Sequence, residues 1–538
     1  MSSATEIELK FQIPADRVAG LRRAVATARA ERTRMQAVYA DTADGRLAAA
    51  GIALRLRQEG RRWVQTLKGR GDGLMVRLEH EVVLPPQRGR PQLDIGRHAG
   101  TPAHNGLLAA LGEPPAALLP IYRTDIQRTH RVLRSGGARI EIAFDEGAIH
   151  GGGRRAPVCE IEFELLSGPP QALLALAARW AGRHGLWLDV RSKAERGHRL
   201  ALGVGQVPAV RAGETALRRE MVPGAALAAM LHSALAQVLP NAAEIGDGQG
   251  SAEQVHQLRV GLRRLRCALR VFGGWAAGPD VTAAPEVRAG PAAALEARLR
   301  VPFTQLGGAR DRDALSAVLL PALQAAGAPE LPLGPGAAGE DPAEVVRDPA
   351  FTMLLLEVIA LSLPPPSIPP VSEPAPVRGS DIGPASWALP GAAPAQAPVS
   401  ARAAAADTDL CSRARQRLRA LHRRALVDAA TFASAPEAVQ HRTRKRLKRL
   451  RYALEFSATL FAPKAVERLL KTLRQTLDVL GEYNDLLVAS ALFRAAVADD
   501  PRAWFAIGWL QARRGPLLAR CERSLSRLAA VKPGWRCS

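Results

Sequence analysis

Residues 6–11 read Glu6-Ile7-Glu8-Leu9-Lys10-Phe11. Strict alternation sends Glu6, Glu8 and Lys10 to one side of a β-strand and Ile7, Leu9 and Phe11 to the other. The same construction returns along the chain. Arg55 and Arg57 alternate with Leu54 and Leu56, and Arg77, Glu79 and Glu81 with Leu78 and the neighbouring Val82. Glu160, Glu162 and Glu164 alternate with Ile161, Phe163 and Leu165, and Lys68 ends another such run. The pattern predicts strands at Glu6–Phe11, Ala53–Gln58, Trp63–Lys68, Met75–Leu84, Ile140–Phe144 and Val158–Leu166, separated by Gly, Pro and Asp turns. Helices are predicted at Ala15–Ala30 and Gln171–His184, so residues 1–203 read as a mixed α/β unit.

A charged face turned to water explains any one of these strands, but not the sorting. Some strands offer paired carboxylates and others paired arginines. Clustered carboxylates repel one another unless a cation sits among them. Hard divalent cations such as Mg²⁺ or Mn²⁺ take oxygen ligands, and paired arginines grip phosphate oxygens bidentately. A barrel with these faces turned inward would hold metal and phosphate in one space.

The order of the motifs then becomes specific. Glu6-x-Glu8-x-Lys10 near the N-terminus resembles the ExExK signature of the CYTH family, the triphosphate tunnel metalloenzymes. Tyr39-Ala40-Asp41-Thr42, Leu54-Arg55-Leu56-Arg57, Thr66-Leu67-Lys68 and Arg77-x-Glu79-x-Glu81 resemble the elements that come after it in that family. So do Tyr122-Arg123-Thr124, Asp145 with Gly147, Glu160-x-Glu162-x-Glu164, and Ser192-Lys193 with Arg196-Gly197. The resemblance implies an eight-stranded antiparallel tunnel with flanking helices. It makes Glu6, Glu8, Asp145, Glu160 and Glu162 the metal-ligand candidates. Lys10, Arg55, Arg57, Lys68, Arg77, Arg123 and Lys193 would hold the phosphates. Glu79 and Glu81 would orient the arginines or a water, so the implied catalytic set is Glu6, Glu8, Lys10, Glu79 and Glu81.

Beyond residue 217 the periodicity becomes helical, rich in Ala, Leu and Arg, and continues to about residue 530. Residues 363–400 are dense in Pro, Ala and Ser, a composition that cannot bury a core, so a disordered or extended insert is expected there. The stretches 273–291 and 326–342 read as loops. The helical half repeats itself. HQLRVGLRRLRCAL at 256–269 matches HRTRKRLKRLRYAL at 441–454. Leu306-Gly307 leading to Arg310-Asp311 is echoed by Leu480-Gly481 leading to Asn484-Asp485. Two copies of one order of features point to a duplicated helical unit.

Each copy carries a cationic stripe. His256, Arg259, Arg263, Arg266 and Arg270 share one helix face, with Leu258, Leu262, Leu265 and Leu269 opposite. His441, Arg444, Lys448 and Arg451 form the second stripe, opposite Leu447, Leu450 and Leu454. Ordinary solvated faces mix signs, whereas like charges three and four residues apart oppose helix formation. Such stripes point to a polyanion. This half resembles the CHAD family, a helical domain of two quasi-repeats with H-x-x-R-x-x-x-[RK] stripes, over about 218–361 and 405–528. The resemblance implies that the two stripes bind inorganic polyphosphate. His256 and His441 have no partner constellation for catalysis in this half, so they read as ligand-binding or structural members of the stripes rather than acid–base catalysts.

Bulk composition agrees. The 538 residues exceed one ordinary core, and Lys+Arg 73 against Asp+Glu 51 gives a net charge of +22, which attracts polyanions. Aromatic residues are 4% of the chain, too few for many base-stacking platforms, so nucleic acid is not expected as the specific partner. No run of about 18 apolar residues is present, and Met1 to Phe11 carries charges where a signal peptide needs an apolar core, so neither a membrane span nor a signal peptide is expected and the cytoplasm is the default. The five cysteines, Cys159, Cys267, Cys411, Cys521 and Cys537, form no CxxC pair and are expected to be thiols.

The expected architecture is thus α+β: a β tunnel over 1–203 and an all-α duplicated bundle over 218–528. The expected activity is metal-dependent hydrolysis of inorganic triphosphate, with polyphosphate held by the helices, an order of domains that resembles bacterial inorganic triphosphatases. Three alternatives stand beside it: a non-enzymatic polyphosphate-binding, granule-associated protein, a nucleic-acid binder, and a tunnel acting on thiamine triphosphate or a nucleotide, including as an adenylyl cyclase. Trp63, Trp180 and Trp187 are the aromatic residues available for contacts with an organic group.

Overall fold

The computed structural model describes residues 4–71, 75–87, 89–276, 290–307, 319–329, 340–363 and 409–536. Nine strands form one sheet: β1 (Ala4–Gln12), β2 (Glu31–Asp41), β3 (Ala53–Glu59), β4 (Arg62–Arg70), β5 (Val76–Val83), β6 (Leu119–Ser135), β7 (Ala138–Gly151), β8 (Arg154–Ser167) and β9 (Trp187–Leu188). Their order is β5-β4-β3-β2-β6-β7-β8-β1-β9, and β1 also pairs with β5, so eight antiparallel strands close into a barrel. The short β9 continues along β1 where β5 has left it, with Phe11 opposite Leu188.

Around β1 and β8 the barrel is apolar outside and charged inside. Leu9, Phe11, Ile161 and Phe163 face outward into a buried layer with Leu173, Leu174, Leu176 and Ala177 of the covering helix. That helix spans Pro170–His184, close to the expected bounds, and stops where Gly185 takes φ 68°, a left-handed conformation suited to glycine. The helix expected over Ala15–Ala30 is shorter: a 3₁₀ turn at Ala15–Arg17 leads into Val18–Val25, and the chain leaves helical geometry at Ala26 to start β2 at Glu31.

The long strands β7 and β8 exceed the predicted segments, and β6 lies where no strand was predicted. Gly136-Gly137 and Gly152-Gly153 join them, all four with positive φ, as tight two-residue turns whose twist suits the flanking strands.

Helices begin again at Pro223. The first basic helix spans Ala252–Phe272 and begins with a reciprocal capping box between Ser251 and Gln254. It packs closely on the helix Pro223–Gly246: a Cβ on Gly261 would lie 2.6 Å from Val238 Cγ2. The second basic helix spans Glu437–Phe456 and meets the first through Arg263 Nη1 donating to the Tyr452 hydroxyl at 3.5 Å and the Arg264 guanidinium over Phe456 at 4.9 Å. The helices Pro349–Ser362, Leu410–Ala430, Pro463–Ala496 and Ala503–Ala530 pack with them in the described bundle. One apolar cluster runs from Phe11 and Phe163 through Leu173 to Leu227 and Leu231, so the barrel and the helices share a core.

The Pro-rich insert expected at 363–400 lies, apart from Leu363, outside the described residues, as do Arg310-Asp311 and most of the loops expected at 273–291 and 326–342. Cys159, Cys267 and Cys521 are free thiols. Cys411 is disulfide-bonded, which corrects the expectation of a thiol there, and Cys537 lies outside the described residues. Among the described residues no helix is long and apolar enough to cross a membrane.

Candidate active site

The barrel encloses a cavity of about 1530 Å³. Strand alternation and register decide what faces it. Across neighbouring strands Lys10 stands opposite Glu162, Lys68 opposite Glu79, and Arg128 opposite Asp145. The lumen is therefore a lattice of alternating charges, partly dehydrated, where each ion pair is stronger than on a surface.

Two acidic groups result. In the first, oxygens of Asp145, Glu160 and Glu162 lie within 4.8 Å of one another. Lys193 Nζ reaches all three, at 2.7, 2.6 and 2.7 Å. Lys193 opens the helix Lys193–Leu202, which Ser192 caps. Arg128 forks onto Asp145 with two bonds of 2.7 Å and also reaches Glu162. Burial pushes the Asp145 and Glu162 carboxyls up, but Arg128 and Lys193 outweigh it and hold both below the usual range. Glu160 is fully buried and takes a further bond from Arg196 Nη1 at 2.8 Å.

In the second group Lys68 Nζ sits 2.9 Å from both Glu6 and Glu79, and Arg77 Nε lies 2.8 Å from Glu8. Burial, opposed by Lys68 and reinforced by Glu79 and Glu8, pushes the Glu6 carboxyl up to about 9. Partial burial pushes the half-buried Glu79 carboxyl up, but Lys68 and the bond with Glu6 outweigh it and hold it low, so the two carboxyls titrate as a pair. Burial and the nearby Glu141 raise Glu164 to about 7.

Arg55 and Arg57 form the wall between. Arg57 Nη2 donates to Glu81 at 2.9 Å and meets Glu59 at 2.6 Å, and Arg55 Nη1 donates to the Tyr39 hydroxyl at 3.1 Å. Lys10 is buried, 4.0 Å from Glu160, with no hydrogen bond to its Nζ among the described residues.

The structure thus brings Glu6, Glu8, Lys10, Arg55, Arg57, Lys68, Arg77, Glu79, Glu81, Asp145, Glu162 and Lys193 to the cavity wall, with Glu160 just behind it. Glu6 and Glu8 do not join the Asp145 group. Arg123 requires a correction: it is exposed on the outer face of β6, while Thr124, Ile126 and Arg128 share the inward parity. Arg128 was missed because the Tyr122-Arg123-Thr124 match fixes the segment but not which residue points inward, and it is the pairing of β6 with β7 that sets Arg128 opposite Asp145. Glu59, Tyr39, Glu164 and Arg196 were also left out of the site. Trp63, Trp180 and Trp187 are not among the lining residues; the aromatic rings there include Tyr39 and Tyr122, stacked on each other at 4.6 Å.

Oxygen-only donors around a buried cation suit a hard divalent ion. The Lys193 ammonium, gripped by three carboxylates, shows that the Asp145–Glu160–Glu162 group accommodates positive charge at its centre.

On the helices the leucines of both stripes are buried as expected. The first stripe is not a free face. Arg259, Arg263 and Arg266 gather over the Phe303 ring at 5.4, 5.1 and 5.4 Å, and Arg259 is 8% exposed. Arg266 and Arg270 both bond Glu296. His256 is half-buried at the start of the stripe. Lys448 and Arg444 are half-buried, Arg451 pairs with Glu455 at 3.4 Å, and His441 Nδ1 lies 3.3 Å from Asn484 Oδ1. The quasi-repeat is visible in detail: Arg259 approaches Gly307 as Arg444 approaches Gly481. The ammonium pKa of Lys445, an exposed residue outside the expected stripe, is lowered by partial desolvation and then by Arg300, Arg266 and Arg270, so cations of both repeats converge.

Comparison with known proteins agrees with this architecture. The chain matches the CYTH domain over residues 4–198 and the CHAD domain over 229–357 and 381–494. It is 34% identical over 166 residues to the inorganic triphosphatase of Haemophilus influenzae, covering 30% of this chain and 44% of that protein, so the chain spans less than half the length of this relative. It is similar to the CHAD domain of the plant Ricinus communis at 27% identity, TM-score 0.42, covering 62% of this chain and 99% of that one. A Hippeastrum protein described as a putative adenylyl cyclase with a dominant triphosphatase activity aligns at 21% identity, TM-score 0.27, over 37% of this chain and 96% of its own. With the closed barrel, its charged lumen and the duplicated basic helices before us, the chain belongs to the proteins that join a CYTH domain to a CHAD domain.

Proposed function

We propose that the barrel hydrolyses inorganic triphosphate with Mg²⁺ or Mn²⁺, and that the helical module binds inorganic polyphosphate. One observation carries the reading: cations able to grip phosphate oxygens and carboxylates able to hold a divalent ion line the same closed cavity. Similarity to an inorganic triphosphatase over 166 residues supports it. Asp145, Glu160 and Glu162, with Glu6 and Glu8 at the second acidic group, would hold the metal. When bound, the ion would neutralise phosphate oxygens and acidify a water.

The chain's own residues do the rest. Arg55, Arg57, Lys68, Arg77, Arg128, Lys10 and Lys193 bind and orient the phosphoryl groups. Glu59, Glu79 and Glu81 fix the arginines and Lys68 by ion pairs, so little reorganisation is needed when charge shifts toward the leaving group. Cations and carboxylates crowd the lining, beside apolar side chains such as Met35 and Ile126, and that density of cations is the reason inorganic triphosphate is preferred over thiamine triphosphate, a nucleotide or a cyclase reaction. The converging cations of the helical repeats are the support for polyphosphate, and a cytoplasmic, granule-associated protein is the setting that fits such a ligand.

The test is phosphate release by the purified protein from tripolyphosphate, ATP, thiamine triphosphate and long-chain polyphosphate, with Mg²⁺, Mn²⁺ or EDTA. Metal-dependent release chiefly from tripolyphosphate is expected. No release from any of them, with polyphosphate still retained, would make the protein a polyphosphate-binding module.

A further inference from the structure

Residues 187–192 join the barrel to the helix Lys193–Leu202, and they touch the tunnel from behind. β9 pairs with the end of β1, and the Asp189 amide donates to the Lys10 carbonyl at 3.0 Å. The Gln12 side-chain amide donates to both Glu160, at 3.3 Å, and Asp189, at 2.9 Å. Asp189 is fully buried and is held by Arg191 through its backbone N–H, Nε and Nη2 at 2.9, 3.0 and 2.9 Å. The remaining arm of Arg191 leaves the barrel: Nη1 donates to Asp247 at 2.8 Å and lies 3.8 Å from Glu244. Glu244 also accepts from Arg199 at 2.6 Å, and Arg199 lies on the helix that begins with Lys193.

These bonds form one path. The helix Pro223–Gly246 carries Glu244 in its last turn and is capped by Asp247, and from there it holds Arg191 and Arg199. Arg191 holds Asp189, which holds the Lys10 backbone and, through Gln12, Glu160. Two carboxylates at a helix C-terminus, where the backbone already leaves negative charge, are poorly placed unless cations meet them. A buried ion pair is also a weak source of stability, since apolar residues of similar size commonly stabilise as well or better. What the pair does supply is fixed direction. The seam beside it is tight, since a Cβ on Gly246 would lie 2.7 Å from the Trp187 ring.

We propose that Asp189 and Arg191 are positioning residues through which the helical module holds Lys10 and Glu160 in place in the tunnel. The proposal rests on the tunnel's being the active site. It makes the helical module part of the tunnel's support as well as a binder of polyanions.

The experiment uses the full chain with tripolyphosphate and Mg²⁺, measuring kcat, KM and the thermal midpoint. The variants are Glu244→Gln with Asp247→Asn, which alter only the helical module, and Arg191→Met beside Arg191→Lys. The double variant is expected to fold, with kcat lowered at least tenfold while KM changes less than threefold. Arg191→Met should lose at least as much, and Arg191→Lys should recover part of it. A folded double variant with the parent's kcat and KM would overturn the proposal. So would a double variant that fails to fold, which would assign the carboxylates to stability alone. If only Arg191→Met fails to fold, the double variant decides. Absence of turnover in the parent protein would remove the tunnel reading itself, an outcome distinct from parent turnover that the variants match.

Discussion

Glu6 and Glu79 share Lys68 at 2.9 Å each, yet their protons are unevenly divided, with Glu6 held up to about 9. A carboxyl raised above its unfolded value of about 4.3 binds its proton more tightly when folded, so it contributes stability at low pH that is lost as pH rises toward the folded value. Between pH 7 and 9 the metal-free protein should therefore unfold at progressively lower temperature, and Glu6→Gln should flatten that slope, as read from Tm in EDTA. Excess Mg²⁺ should offset the loss, because a cation near Glu6 replaces the proton. Parallel slopes in the two proteins would show that Glu6 ionises normally. Strand parity gives a second prediction. Arg128→Met should lower kcat/KM for tripolyphosphate at least tenfold, since Arg128 forks onto Asp145, whereas Arg123→Met on the outer face should leave it within twofold. The sequence made the inward charge of β1, β3, β5 and β8 legible because each run alternates cleanly. It did not make β6 legible: Tyr122-Arg123-Thr124-Asp125-Ile126-Gln127-Arg128 carries arginines of both parities, and only pairing with β7 fixes which of them faces Asp145.

Elements were readable where one period dominated. The two basic helices were located by leucines every three to four residues, and those leucines are buried. The fate of their cationic faces was not readable, because Phe303 and Glu296 come from other helices and only tertiary packing sets them over Arg259 and Arg266. The long hairpins β6–β7 and β7–β8 were under-read for a related reason: closing the barrel pairs their ends, which lack clear alternation. Helix packing is tested at Gly261, whose absent side chain allows an approach to Val238 that a Cβ would obstruct. Gly261→Leu should destabilise by about 1–3 kcal/mol through overpacking, read by denaturant unfolding. An unchanged midpoint would mean the two helices separate more easily than their packing implies. Convergence of the repeats makes another expectation. Lys445 and Arg300 are exposed and come from different repeats. Replacing both with Ala should weaken polyphosphate binding and reduce its salt slope by about 0.7 for each phosphate no longer neutralised. An unaltered slope would remove them from the binding surface.

At the scale of the molecule, the barrel inverts the usual arrangement, and this governs how its two halves depend on each other. A charged lumen cannot serve as the barrel's apolar core, so Leu9, Phe11, Phe144, Ile161 and Phe163 must be covered from outside. The helix Pro170–His184 covers part of that layer, and its own outer side meets the helix Pro349–Ser362, with Met353 Sδ placed 3.6 Å from where a Gly182 Cβ would lie. Trp187, 6% exposed, closes against Gly246. Cutting the chain after residue 203 would uncover Trp187 and the far side of the Pro170–His184 helix, and would leave Arg191 and Arg199 without Glu244 and Asp247. Exposed apolar patches of that kind promote association. The fragment 1–203 should therefore express as an aggregating or expanded species, detected by size-exclusion chromatography and dye binding, with a Tm well below that of the intact protein. Adding tripolyphosphate and Mg²⁺ should raise the fragment's Tm if the lumen still forms, because a ligand that binds only the folded state shifts the equilibrium toward it. A monomeric fragment as stable as the whole chain would mean that the barrel covers its own apolar surface, and that the shared cluster joins two bodies that need no help from each other.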